Sequence, residues 1–151
     1  MISWLVAAVI GPPLSIIPQP ASVSPAIGFF QIQSRTRIIA PREARDVATR
    51  FRDQLSTATG FKMPVAADGE TTNAIRFVLA RNDKELGDEG YRLNIKRREI
   101  EITANKPAGF FYATQSIRQL LPAANLAKTR QEAAWLVPCG EVVDYPRFGW
   151  R

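Results

Sequence analysis

Tyr91-Arg92-Leu93-Asn94-Ile95-Lys96-Arg97-Arg98-Glu99-Ile100-Glu101-Ile102-Thr103-Ala104 decides the fold class. Tyr91, Leu93 and Ile95 alternate with Arg92, Asn94 and Lys96, and Ile100 and Ile102 alternate with Glu99, Glu101 and Thr103. A period of two with one apolar and one charged set marks strands that bury a single face. Arg97-Arg98 between the runs makes a short polar turn, so the stretch is a hairpin. The densest basic run of the chain, Lys96-Arg97-Arg98, is thereby a hairpin tip.

Working outward, the period changes on both sides. Downstream, Asn105 fits a helix N-cap and Pro107 its first turn. Phe110, Ala113, Ile117, Leu120 and Leu121 then form an apolar stripe that stops at Pro122. Upstream, Ala74-Ile75-Arg76-Phe77-Val78-Leu79-Ala80 is dense enough in apolar residues for a central strand. Before it, Pro41 and Glu43 open a second helix striped by Ala44, Val47, Ala48, Phe51 and Leu55, and Gly60 ends it.

Phe29-Phe30-Gln31-Ile32-Gln33 and Thr36-Arg37-Ile38-Ile39 suggest two short strands joined at Ser34-Arg35. Residues 15–28, punctuated by Pro18, Pro20 and Pro25, are expected to be an extended lead-in. At the other end, residues 123–132 look like a polar linker. Trp135-Leu136-Val137 and Glu141-Val142-Val143 are expected as final strands. The order is strand, strand, helix, strand, hairpin, helix, strand. Each helix has one apolar stripe, so both need one sheet face. The expected fold is α+β: a two-layer sandwich with a mixed, mainly antiparallel sheet and two amphipathic helices on one face.

Composition narrows the chemistry. The 151 residues suit one domain of ordinary globular composition, 46% hydrophobic and 23% charged. The net charge of +6 is spread over Arg35, Arg37, Arg42, Arg45, Arg50, Arg52, Arg76, Arg92, Arg118, Lys128 and Arg130, a solvated surface and not a nucleic-acid stripe. The chain has no histidine, which excludes His-based acid–base catalysis and Ser-His or Cys-His nucleophile pairs within it. Its one cysteine, Cys139, sits in the apolar run Leu136-Val137-Pro138-Cys139 and reads as a buried structural thiol. No metal set and no cofactor motif is expected. Residues 2–10 form an apolar run of export-signal length, too short to span a bilayer. Residues 1–15 are therefore expected as a lead or signal segment, implying a periplasmic or extracellular protein.

Two stretches attract attention as sites. Asp88-Glu89 is an adjacent carboxylate pair, and glycosidases use two carboxylates. It lies, however, in the charged, glycine-bracketed loop Asn82-Asp83-Lys84-Glu85-Leu86-Gly87-Asp88-Glu89-Gly90, which reads as a solvated turn. The second is the close Asp144-Tyr145-Pro146-Arg147-Phe148-Gly149-Trp150-Arg151, where Arg147 and Arg151 stand among the aromatics Tyr145, Phe148 and Trp150. Aromatic faces beside guanidinium forks suit a polar ring-shaped ligand.

Four stretches together resemble glycoside hydrolase family 20, the β-N-acetylhexosaminidases. Pro107-Ala108-Gly109-Phe110-Phe111-Tyr112-Ala113-Thr114-Gln115-Ser116-Ile117-Arg118-Gln119-Leu120-Leu121, preceded by Ile100-Glu101-Ile102-Thr103-Ala104, resembles the last helix of the family's N-terminal domain, with Ala113 at a frequent glycine. Val143-Asp144-Tyr145-Pro146-Arg147-Phe148-Gly149-Trp150-Arg151 resembles the join to the catalytic barrel. Ile16-Ile17-Pro18-Gln19-Pro20 and Glu89-Gly90-Tyr91-Arg92-Leu93 are weaker matches in the right order.

The resemblance implies a non-catalytic α+β domain over residues 16–144, with residues 145–151 starting a catalytic TIM barrel that the chain lacks. In the family that barrel removes terminal N-acetylhexosamine from glycans. One Asp orients the substrate's 2-acetamido group, whose oxygen attacks the anomeric carbon, and a neighbouring Glu is the acid–base. The resemblance gives Arg151 a substrate-binding role toward sugar hydroxyls. It gives Asp88-Glu89 none, because the family's catalytic pair lies beyond the terminal motif. No catalytic residue, metal or cofactor is therefore expected in this chain. Its expected partners are the barrel domain and, through it, an N-acetylhexosaminide glycan, with no nucleic acid and no membrane span. The alternative is a stand-alone glycan- or nucleic-acid-binding module.

Overall fold

A computed structural model describes residues 12–147. The chain runs β1 (Ser22–Gln31), β2 (Arg37–Ile39), α1 (Arg45–Thr59), β3 (Val65–Ala66), β4 (Ala74–Leu79), β5 (Tyr91–Lys96), β6 (Glu99–Ala104), α2 (Pro107–Leu120) and β7 (Leu136–Asp144). The seven strands form one sheet in the order β1-β7-β5-β6-β4-β2-β3. One half, β1-β7-β5-β6, is antiparallel, and the other, β6-β4-β2-β3, is parallel. α2 lies on β5, β6 and β7, and α1 packs beside it and against β3. This is the α+β two-layer arrangement that the patterning calls for.

The hairpin forms as the alternation requires, with Lys96 opposite Glu99 and Leu93 opposite Ile102. Leu93, Ile95, Ile100 and Ile102 are buried beneath α2, where Phe110, Ala113 and Ile117 meet them. Fully burying a side chain of the size of Phe110 contributes about 2–3 kcal/mol. The opposite face of the same strands is charged. Arg76 binds Glu99 at 2.7 Å and also Glu101, and Arg92 reaches Glu85 at 3.0 Å and Asp83 at 3.4 Å. These side chains are only partly covered, so each pair contributes at most about 1 kcal/mol. Hydrogen bonding to Glu99, with the field of both glutamates, raises the pKa of Arg76 against the opposing cost of burial.

α1 is preceded by a 3-10 turn over Arg42–Ala44, and its stripe of Ala44, Ala48, Phe51 and Leu55 is buried. Gly60 ends it at φ +72°, with its N–H donating to the Ser56 carbonyl at 2.8 Å. A residue without Cβ takes that left-handed cap without strain.

Several local expectations are corrected. The strands around Phe29 and Ile38 are not neighbours: β1 lies at one sheet edge, and β2 lies next to the other. β1 also begins earlier, at Ser22, through Pro25. An edge strand tolerates a residue without an N–H, and the register slips between Pro25 and Phe29. Asn105 is not the cap of α2. Lys106 holds that position with no side-chain bond. The Asn105 amide instead accepts from Asp83 N–H at 2.8 Å and donates to the Asp83 and Gly87 carbonyls at 2.7 and 2.8 Å. It thereby shapes the loop before β5.

The two final strands are one, β7, and the polar linker contains a 3-10 turn over Ala123–Leu126 with Asn125 buried. β3, only two residues long, carries no periodic signal.

α2 sits close to the sheet because Gly109 faces the Gly90 carbonyl at the start of β5. A Cβ on Gly109 would collide with that oxygen and would stand 2.9 Å from the Ala104 Cβ. Backbone cannot yield as a flexible side chain can, so overpacking of about 1–3 kcal/mol is expected for Gly109→Ala. Urea unfolding should show this as a lower midpoint with an unchanged slope.

Candidate functional site

The described residues offer two clefts on the outer side of α2. One, of about 280 Å³, lies between α1 and α2 and is lined by Val47, Arg50, Pro107, Phe111, Tyr112 and Gln115 among others. The second, of about 360 Å³, lies between α2 and the incoming chain and is lined by Ile16, Ile17, Pro18, Gln119 and Asp144, again with Tyr112 and Gln115. The shared Tyr112 and Gln115 make them one surface along the helix. Phe111 is 46% exposed on it and meets Tyr112 edge to face, with ring centroids 5.6 Å apart. Large exposed apolar groups gathered on one face mark interaction surfaces in soluble domains.

Helical geometry explains how one segment serves both sides. Phe110, Ala113 and Ile117 point to the sheet, while Phe111, Tyr112 and Gln115 fall on the far side of the same turns. Beneath the second cleft, the Tyr91 hydroxyl and Ser116 hydroxyl lie 2.6 Å apart in a buried hydrogen bond. Asp144, almost fully buried, accepts from Ala21 N–H at 3.3 Å. It is the one carboxylate among the lining residues of the two clefts.

The structure does not gather Asp88-Glu89 into this surface. They lie in the loop before β5; Asp88 is exposed and Glu89 half-buried. The neighbouring Asp83 and Glu85 are the acids that take part in structure, through Arg92. Cys139 is buried, which pushes its thiol pKa up, and the charge of Arg97 opposes that only in part. An un-ionised thiol is a poor nucleophile and ligand. Among the described residues no group of three or more His, Cys, Asp or Glu is placed to hold a metal ion, and no helix is long and apolar enough to cross a membrane.

Arg97 does more than carry charge at the hairpin tip, since its side chain lies across Gly28 of β1. Arg151, Phe148 and Trp150 lie outside the described residues, as does the apolar run at 2–10. Arg147 is described, and its Nη2 donates to the Gln19 carbonyl at 3.0 Å. Sequence reasoning missed Tyr112, Gln115 and Gln119 as surface formers. Their only signal was position, on the helix face opposite the apolar stripe.

The described residues thus define a two-layer α+β domain whose outer helix carries a continuous, partly apolar surface beside the end of its last strand. Residues 13–145 match glycosyl hydrolase family 20, domain 2, and the chain belongs to that family. A β-hexosaminidase of Porphyromonas gingivalis is 26% identical over 139 residues, covering 91% of this chain and 18% of the relative. Among solved structures, the GH20 β-N-acetylhexosaminidase from Streptomyces coelicolor A3(2) superposes with a TM-score of 0.86 at 43% identity, covering 93% of this chain and 28% of that one. A mutant Streptomyces plicatus β-hexosaminidase in complex with the product GlcNAc gives 0.85 at 42% identity, covering 95% and 28%. The chain therefore spans less than a third of the length of these relatives.

A solvated loop pair should be dispensable to the fold. Asp88→Ala and Glu89→Ala are each expected to change unfolding free energy by no more than about 0.5 kcal/mol in denaturant titrations.

Proposed function

We propose that this chain is the accessory, non-catalytic N-terminal domain of a β-N-acetylhexosaminidase, acting on terminal N-acetylhexosamine of glycans in the periplasm or outside the cell. One observation carries this reading. A domain matching nearly the whole chain accounts for only 28% of a β-N-acetylhexosaminidase of 43% identity. The remaining length in such relatives has room for the catalytic barrel.

The outer face of α2 is the surface suited to that barrel. It is exposed, it carries Phe111 and Tyr112, and it lies beside Asp144, from which the chain leaves the sheet toward Arg151. Interface cores favour aromatic anchors of this kind. Arg151, at the end of the exit segment, is the residue assigned to sugar hydroxyls. A guanidinium offers them fixed, directional donors. The acid–base chemistry belongs to the barrel, in keeping with a reaction in which the substrate's own acetamido group replaces a protein nucleophile.

The purified 151-residue chain is expected to release no chromophore from a chromogenic N-acetylglucosaminide above the buffer rate. Turnover by this chain alone would overturn the reading. Retention of a glycan by the isolated chain, or affinity for DNA or RNA falling steeply with salt, would instead favour a stand-alone binding module.

A further inference from the structure

Residues 14–21 are fastened to the end of the domain by polar bonds that span more than a hundred positions of sequence. Gln119, near the end of α2, engages both backbone groups of Ile17. Its Oε1 accepts from the Ile17 N–H at 2.8 Å, and its Nε2 donates to the Ile17 carbonyl at 3.0 Å. Asp144 accepts from Ala21 N–H at 3.3 Å, and Arg147 donates to the Gln19 carbonyl at 3.0 Å. Leu14 and Ile16 are buried in the core on one side of this stretch, whereas Ile17 is 82% exposed. The side chain of Ile17 is therefore not held by burial, and the amide of Gln119 bonds both of its backbone groups.

The other half of the geometry is at β7. Asp144 is the last strand residue, and its opposite number in the sheet is Tyr91, the first residue of β5. Beyond it the ladder ends, and Pro146 has no N–H to continue one. The described restraints on residues 145–147 then include the bond from Arg147 to the incoming chain. Incoming and outgoing segments hold each other, with Gln119 fixing the incoming one to α2.

We propose that residues 14–21 form a strap that sets the direction in which the chain leaves β7, with Gln119 and Arg147 as its positioning residues. Its purpose rests on the reading above, in which a further domain follows. The strap itself belongs to this chain and is tested without that domain. Gln119→Leu keeps the volume and removes both bonds to Ile17. Arg147→Met keeps the stem and removes the bond to Gln19. Neither side chain is in the buried core, so both variants are expected to fold.

Backbone 15N relaxation on the 151-residue chain reads the effect. In the parent chain, Ile17, Tyr145 and Arg147 should have order parameters near those of strand residues, about 0.85. In Gln119→Leu all three should fall below about 0.6, the flexible range, while Leu93 and Ile102 keep their values. Arg147→Met should loosen Gln19 and Tyr145 in the same way. Ile17 unchanged in Gln119→Leu, or Ile17 loosened with Tyr145 and Arg147 unchanged, would overturn the proposal. Should Gln119→Leu fail to fold, a rigid Tyr145 and Gln19 in Arg147→Met would overturn it alone. Turnover by the isolated chain would defeat the accessory-domain reading and leave these values untouched.

Discussion

The closeness of α2 to the β5–β6 hairpin is the constraint on which the rest depends. Gly109 over the Gly90 carbonyl lets the helix settle onto the strands, so that Phe110 is wholly enclosed and meets Phe77 of β4 at 5.5 Å between ring centroids. A larger residue at Gly109 would lift the helix from its start. Its far end would then follow, and with it Ser116, bonded to Tyr91, and Gln119, bonded to the incoming chain. Interior packing leaves little room for partial answers, because a gap of under an ångström already forfeits much of the dispersion energy. The seat of one helix thus governs core, surface cleft and chain ends together.

The sheet itself is divided by polarity more than by layers. Its inner face is aliphatic and aromatic under the helices. Its outer face is a lattice of Arg76 and Arg92 with their glutamates and Asp83, left to solvent. The outer surface of α2 is different, carrying the exposed Phe111 and half-buried Tyr112 rings and few charges. Of the two broad surfaces, therefore, the sheet has the composition of one that stays wet, and the helix that of one that is covered.

The hairpin and both helices are legible because their residues obey a period that only one structure satisfies, and β4 because of its apolar density. Ile100 and Ile102 cannot be buried together except in a strand, nor can Phe110, Ala113 and Ile117 except on a helix. What escaped obeys no period. β3 owes its existence to backbone pairing with β2, to which Val65 and Ala66 add little side-chain signal. Pro25 argues against a strand in the first half of β1, an objection that lapses at a sheet edge. Asn105 illustrates a third kind of failure. A residue suited to an N-cap is equally suited to bonding a loop, and the loop from Asp83 to Gly87 offered it three partners. The parallel half of the sheet follows from the order of crossovers and not from residue type, so local pattern could not supply it.

The candidate surface was less legible than the fold, for a physical reason. Docking faces and chain exits are built by residues that local structure leaves over. Tyr112, Gln115 and Gln119 are ordinary helix-surface residues in sequence, and nothing in their spacing says that residues 14–21 return to lie beside them. Only the pairing of β1 with β7 at one sheet edge brings the start of the described chain to its end. Once that pairing exists, Gln19 and Ala21 necessarily fall beside Asp144 and Arg147, because Ser22 is opposite Val143. The contact between the two segments is thus a consequence of strand register. The polar residues at Gln119, Asp144 and Arg147 convert that contact into a defined orientation.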